Sequence, residues 1–555
     1  MAKWGWLAAA LVAAACCRAG AAPSEPGAAV ARRMVGDFGA KGDGTGDDTA
    51  AFQAALDAAG KAGGGVVFAP AARYAIRGHL SLPDNVTLEG VFRAPPRTAD
   101  GGTVLMAFEG KGQSEGAPFL FLHTNSTLRG LAVVYPEQER NPPKPYPWTI
   151  RGSGDNCAIV DVLLVNPYQA VDFGTHPCGR HAIRGLNAMP LYRGIFVDKC
   201  FDVGRIEDVH LWPFWGYTDG LKTFLRDNAE AFVFSRTDWE YVTNCFCLGY
   251  KVGFHFIQQN DGPGNVLLTQ SGSDVGPCSV MVDNVQTHAG VSFSNSQFMC
   301  GLVVKPTNTG PVKFTACGFW PVEDTGRVAD LAGSGEVTFN GCHFWEWDQQ
   351  RRGEPAIYAD CDGLIVTGCD FVAKKPQLTL AANLQSAVIV ANRFRGPQQI
   401  KNLSQGDVQI GLNSAGKASP AEAKRQQNTT MGVARRYFEL LREGKMREAE
   451  PLAAFESPGV RTKWQWEVGD YVARLQAGGR KWWGDPIAAQ EISGPPPGQW
   501  AAVEVQWRYL AGAGWMIASN RHYTYLMRTV DGEWKMVMSE DMITRGVPFY
   551  PPDQP

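Results

Sequence analysis

The 555-residue sequence predicts an all-β right-handed parallel β-helix (a solenoid) with an N-terminal capping helix, followed by a small C-terminal α+β cone-like domain. Three observations predict it. Apolar positions recur once per coil of 21 to 27 residues, apolar and polar residues alternate within the recurring segments, and the rhythm stops after residue 412.

The repeat is clearest in two stretches. Pro167, Pro190 and Pro213 are each 23 residues apart. Counting back from them gives apolar columns Val160/Ile183/Ile206, Leu163/Leu186/Val209 and Val165/Ala188/Leu211, separated by columns Asp161/Arg184/Glu207 and Leu164/Asn187/His210 that face outward. Further on, Phe298, Phe319, Phe344, Phe371 and Phe394 recur at spacings of 21, 25, 27 and 23. Two positions before each stand Ser296, Cys317, Cys342, Cys369 and Asn392, which read as a buried stack of small side chains. A single coil cannot bury its own apolar face, and stacking gives one continuous core. Leucine-rich repeats share the period, but their L-x-x-L-x-L frame is missing. Val86–Gly90 and Thr127–Leu131 fit as earlier rungs with longer loops, so the coils span roughly 65–412.

Composition narrows the function classes. Hydrophobic residues make up 45% and charged residues 19%, with a formal charge of −3. That excludes bulk disorder and gives no basis for nucleic-acid or membrane-surface binding. Lys3, the short apolar run Leu7–Ala15 and the small residues Ala19-Gly20-Ala21 read as an export signal over 1–21, so the expectation is a secreted or periplasmic, soluble protein. A lipoprotein reading through Cys16 or Cys17 lacks the usual upstream Leu. Of 13 cysteines, eleven remain after those two. No paired C-x-x-C occurs, so no metal site is expected.

Past the leader, Val35-Gly36-Asp37-Phe38-Gly39-Ala40-Lys41-Gly42-Asp43-Gly44 is followed by Asp47-Asp48-Thr49 and a helix over Ala50–Ala59, then Gly63–Phe68 and Tyr74–Ile76. Asp47 or Asp48 can cap that helix, and Phe52 with Leu56 forms its apolar face. This stretch resembles the N-terminal segment of the pectate lyase superfamily, shared with polygalacturonases, family 55 glucanases and some phage tailspikes. The resemblance implies that the helix plugs the open end of the solenoid. Family activity does not carry over residue by residue. The Asp-Asp, Gly-His-Gly and Arg-x-Lys signatures of polygalacturonases are missing from the central coils. Arg93-Ala94-Pro95-Pro96-Arg97 is one residue short of the pectate lyase Arg-x-Pro-x-x-Arg.

The domains read as 34–412 for the β-helix, 413–430 for a polar linker and 431–555 for the α+β domain. In the last, Val433, Tyr437, Phe438 and Leu441 share a helical face, Val468–Gln476 suggests a second helix, and Ala501–Leu510, His522–Arg528 and Trp534–Ser539 alternate like strands. That order resembles nuclear transport factor and polyketide cyclase relatives. Eight of the 17 tryptophans fall between Trp464 and Trp534, reading as an aromatic core with a Trp-lined cavity as the alternative.

On a β-helix, chemistry sits where outward columns of adjacent rungs form a groove, and acids beside tryptophans are what a sugar site needs. The first such region is His210, Trp212, Trp215, Asp219 and Lys222, with Asp238, Trp239 and Glu240 about a rung later and His255 and Asp261 beyond. Asp219 with Asp238 or Glu240 is the carboxylate pair a hydrolase would need; Lys222, His210 or Arg193 is the base a lyase would need. Trp212, Trp215, Trp239, Arg193, His255 and Asp261 are the substrate-binding candidates. The second region, Trp320, Glu323, Asp324, His343, Trp345, Glu346, Trp347 and Asp348, reads as a docking surface for the C-terminal domain or a sugar platform. Asn85-Val86-Thr87, Asn125-Ser126-Thr127 and Asn428-Thr429-Thr430 fit the N-glycosylation pattern. The resulting expectation is a secreted enzyme, glycoside hydrolase or polysaccharide lyase, acting on a polysaccharide. No cofactor is called for, and Ca²⁺ enters only with lyase chemistry. The alternative is a non-catalytic carbohydrate-binding or surface β-helix. The polymer and the oligomeric state stay open.

Overall fold

The computed structural model describes residues 32–95, 101–323, 325–416, 429–476, 482–492, 500–511, 514–529 and 531–540. The leader over 1–21, Asp324 and most of the linker lie outside them.

A single 39-stranded parallel assembly runs from Arg32–Met34 to Ser414–Gly416. Each coil contributes to three sheets in turn. One coil enters sheet 1 with Gln169–Phe173, then uses Ala182–Ala188 for both sheet 2 and sheet 3. The bend between sheets 2 and 3 is a single residue in the left-handed conformation: Asp161, Gly185, Asp208, Asn244 and their successors have φ near +50° to +70°. The connections leading into and out of sheet 1 are longer and carry the insertions. Helix α2 (Asp219–Asn228) is one of these, starting at Thr218, whose side chain accepts from the Leu221 N–H.

The inner columns are as the repeat implied. Phe298, Phe319, Phe344, Phe371 and Phe394 are all buried, with ring centroids 5.5, 5.0, 4.5 and 5.3 Å apart from rung to rung. Phe293, Phe314 and Phe339 form a parallel stack beside them. The small-residue column has an added purpose. Each member follows the left-handed bend and satisfies a backbone N–H of the preceding rung: Cys245 N–H donates to Ser271 Oγ (3.2 Å), Cys369 N–H to Asn392 Oδ1 (2.9 Å) and Asn392 N–H to Asn413 Oδ1 (2.9 Å). All eleven cysteines from Cys157 on are buried and unpaired.

One register differs from expectation. Ile183 and Ile206 share an inner file, but the residue stacked on them is Ile159; Val160 pairs with Arg184 and Glu207 on the outside. Likewise Val162 and Leu164, not Leu163 and Val165, continue the files of Leu186 and Ala188. The first of these coils is one residue longer, and the prolines sit in the connection, which does not keep strand register.

Helix α1 (Thr49–Lys61) covers the N-terminal end, burying Phe52, Ala55, Leu56 and Ala59. Asp47 Oδ1 accepts from the Thr49 N–H (3.0 Å) at its start, while Asp48 turns back to the Lys41 and Gly42 N–H groups at 2.7 and 3.2 Å. This closes a solenoid end that would otherwise expose strand edges.

A second, separate core begins at α3 (Thr430–Arg442), which buries Val433, Tyr437, Phe438 and Leu441. The short α4 (Met446–Ala449), the long α5 (Pro458–Gln476) and a five-stranded sheet follow. The second helix starts ten residues before its expected Val468, and the strand Trp482–Ile492 was not anticipated. Trp464 is fully buried and donates to the Tyr437 hydroxyl at 2.8 Å; Trp466 is 80% exposed. The side chains of Trp482, Trp483, Trp507 and Trp515 lie outside the described residues, and with them the Trp-lined cavity. Among the described residues no helix is long and apolar enough to cross a membrane.

Candidate active site

Sheet 1 is bordered on its entry side by α2 ahead of Glu230–Phe234 and on its exit side by connections such as the hairpin Gln258–Pro263. Its outward column runs Arg151, Asp172, Phe196, Val233, His255, Met281 and Val303, each paired with the next. Two groups of ionisable side chains break its apolar character.

In the first, Arg151 Nε is 2.5 Å from Asp172 Oδ2. Asp172 is fully buried and also accepts from the Gly174 and Thr175 N–H groups and the Thr175 hydroxyl. Every acceptor position is used, so this carboxylate holds the chain rather than a ligand.

The second centres on His255. Its Nδ1 is 2.7 Å from Glu230 Oε1 on the preceding coil, and its Nε2 is 3.2 Å from Asp283 Oδ1 on the following one. Lys305 Nζ reaches the same Asp283 oxygen at 2.7 Å, and Arg193 pairs with Glu230 in the sheet from the rung before. Burial alone would lower His255, but its hydrogen bonds to Asp283 and Glu230 and their charges outweigh that and raise it above 6.5. Burial would raise Glu230 and Asp283, yet His255 and the nearby cations bring both below the usual carboxylate range. The result is a histidine held between two carboxylates, with Arg193 near one and Lys305 on the other. Such a chain can take up and pass on a proton at a surface that also attracts anions.

Of the residues expected to form one groove, the structure brings Arg193 and His255 to this face and distributes the others around the coil. His210 is on sheet 3, stacked on Trp212 at 5.4 Å, and burial lowers its pKa. Trp215 lies under Arg140, 4.0 Å from the guanidinium carbon. Asp219 and Lys222 are on α2, in the connection before the sheet-1 strand Glu230–Phe234; Asp238 and the exposed Trp239 are in the connection after it. The two carboxylates expected to pair are thus in different connections, on either side of the five-residue strand Glu230–Phe234. Asp238 is instead tied to Arg236 at 3.0 Å and Gln286 at 2.7 Å. Asp261 is exposed in the hairpin turn between Gln258–Gln259 and Gly262–Pro263.

Glu240 requires the largest correction. It faces the interior with no solvent exposure, 2.9 Å from His181 Nε2. The strand Glu240–Thr243 alternates so that Glu240 shares parity with Val242, which pairs with the inner Ile206; that parity was readable in the sequence. Glu230, Asp283 and Lys305 were missed, although Glu230, His255, Asp283 and Lys305 follow one another at 25, 28 and 22 residues, the coil spacing.

In the second region Trp320 and Trp345 are partly exposed, at 38% and 42%, but Trp347 is fully buried. Glu323 forms a two-point ion pair with Arg226, Glu346 is paired with Lys375, and Asp348 caps the N–H groups of Arg352, Gly353 and Glu354. Arg435, on α3, lies 5.8 Å from the Trp345 ring centroid. Asn85 and Asn125, in two of the sequons, are part of an exposed ladder: Asn125 Nδ2 donates to Asn85 Oδ1 and Asn156 Nδ2 to Asn125 Oδ1.

Fold and site together define a parallel β-helix with an ionisable outer face on sheet 1. Residues 32–119 match the family Rhamnogalacturonase A/epimerase, pectate lyase-like. Alginate lyase 7 of Azotobacter vinelandii is 64% identical over 54 residues, 10% of this chain and 6% of that protein's length. Mannuronan C5-epimerase AlgE4 of the same organism is 43% identical over 86 residues, 14% of each chain. Among solved structures, the A-module of the A. vinelandii mannuronan C-5 epimerase AlgE6 is similar over 69% of this chain and 99% of its own, with 17% identity and a TM-score of 0.45.

Proposed function

We propose that this protein is a polysaccharide-modifying enzyme that acts on a uronate-containing polymer along the outer face of sheet 1. The observation that carries the reading is His255 suspended between Glu230 and Asp283, with Lys305 and Arg193 beside them. Removing the proton next to a uronate carboxyl needs positive charge for the developing enolate and a group to move the proton. Lys305 and Arg193 supply the first, and the His255–carboxylate chain supplies the second. The lyase and epimerase named above support this class over hydrolysis, since elimination and epimerisation both begin with that proton. The export reading of residues 1–21 accords with a polymer substrate met outside the cytoplasm, and the element order of the C-terminal domain supports the cone-like reading of it.

The test is incubation with a panel of polyuronates and neutral glucans. Ultraviolet absorbance from an unsaturated uronate, or deuterium entering the polymer from heavy water without cleavage, supports the proposal. Reducing ends without that absorbance would indicate a hydrolase, and no change in any polymer would favour a binding protein. Asp219→Asn serves as the control and keeps full activity.

A further inference from the structure

The interior of the solenoid holds a second ionisable cluster that the groove does not use. His181, Cys200 and Glu240 are fully buried, and one donor atom from each (Nε2, Sγ and a carboxylate oxygen) lies within 4.8 Å of the other two. They come from three successive coils. His181 immediately precedes the strand Ala182–Ala188, Cys200 pairs in a bridge with Thr237, and Glu240 opens Glu240–Thr243.

The ring orientation is fixed by its surroundings. His181 Nδ1 is 2.8 Å from the Cys178 carbonyl, which only accepts, so Nδ1 carries a hydrogen. Nε2 then faces Glu240 Oε1 at 2.9 Å. A lone pair and a carboxylate repel in a dry interior, so at this distance either a proton is shared between them or a metal ion beside them binds both. Thr237 donates to the other Glu240 oxygen at 3.0 Å. Gly204 closes the site from the side. A Cβ there would stand 2.1 Å from Glu240 Oε2 and 2.6 Å from His181 Nε2, so any side chain would fill the space where the donors converge.

We propose that His181, Cys200 and Glu240 bind one transition-metal ion of the zinc class, in a structural role. A nitrogen, sulfur and oxygen donor set suits that ion. A histidine ligand that donates its other ring N–H to a backbone carbonyl is the usual supporting arrangement. Complete burial leaves no route for a polymer, which separates this site from the groove. Binding expels the thiol proton of Cys200 and any proton shared by His181 and Glu240, and the Cys200 contact to the Asp202 carbonyl at 2.7 Å is given up.

The experiment measures metal content and thermal unfolding of the purified full-length chain. About one zinc per chain is expected, lost in Cys200→Ser and Glu240→Gln, with the melting temperature falling on chelation in the wild type only. Cobalt in place of zinc gives a thiolate charge-transfer band that disappears in Cys200→Ser. A wild-type protein that retains no metal and whose melting temperature ignores both chelator and added zinc overturns the proposal and leaves a protonated His–Glu pair. If the variants do not fold, the wild-type metal content and chelator response decide alone.

Discussion

The charge state of His255 depends on partners from two other coils, so the groove should respond to pH in a defined window. A raised histidine contributes stability in full below its ordinary value of 6.5 and loses it as the pH climbs through the raised one. Lowered carboxylates contribute above their ordinary values, 4.5 for Glu230 and 3.8 for Asp283, and lose it as the pH falls through the lowered ones. The cluster therefore stabilises most between pH 4.5 and 6.5. Thermal unfolding followed across pH should show a maximum there that flattens in Glu230→Gln; an unchanged profile would mean the three groups do not interact. At the same scale, Arg151→Ala should destabilise by several kcal/mol, about 3–5, because it strands the fully buried Asp172 carboxylate. Denaturant unfolding measures this directly.

Among elements, the phenylalanine ladders are what the sequence announced most plainly, because every coil repeats an apolar residue at one place. Phe344 is sandwiched between Phe319 and Phe371, and Phe344→Ala should cost about 3–5 kcal/mol in denaturant unfolding. Its neighbour Trp345 faces outward, and Trp345→Ala should leave the solenoid within about 0.5 kcal/mol of wild type. Coil length, the inward cysteine column and the capping helix were legible for the same reason: each is a local pattern. The register of Ile159 was not, since one extra residue in a connection shifts a whole file without changing composition. Neither was the convergence of His181 with Glu240, which are 59 residues apart and meet only because intervening coils return the chain to the same corner. The acids and tryptophans that neighbour one another in sequence do not share a face, because one coil carries its residues around three faces.

For the molecule as a whole, the two cores are distinct, and the contact of Arg435 with Trp345 links their surfaces. Calorimetry should therefore resolve two unfolding transitions, with Trp345→Ala moving the smaller and sparing the larger; one inseparable transition would contradict separate cores. The long stack sets one outward residue of sheet 1 above the next from coil to coil. The stabilising repeat and the ionisable site are thus opposite sides of the same strands.

The most direct measurement is the turnover of His255→Gln on whichever polyuronate the wild type converts, with melting temperature recorded alongside. Loss of at least ~100-fold in rate, in a protein that still folds, is the predicted result. Wild-type turnover in that variant would place the chemistry elsewhere on the helix.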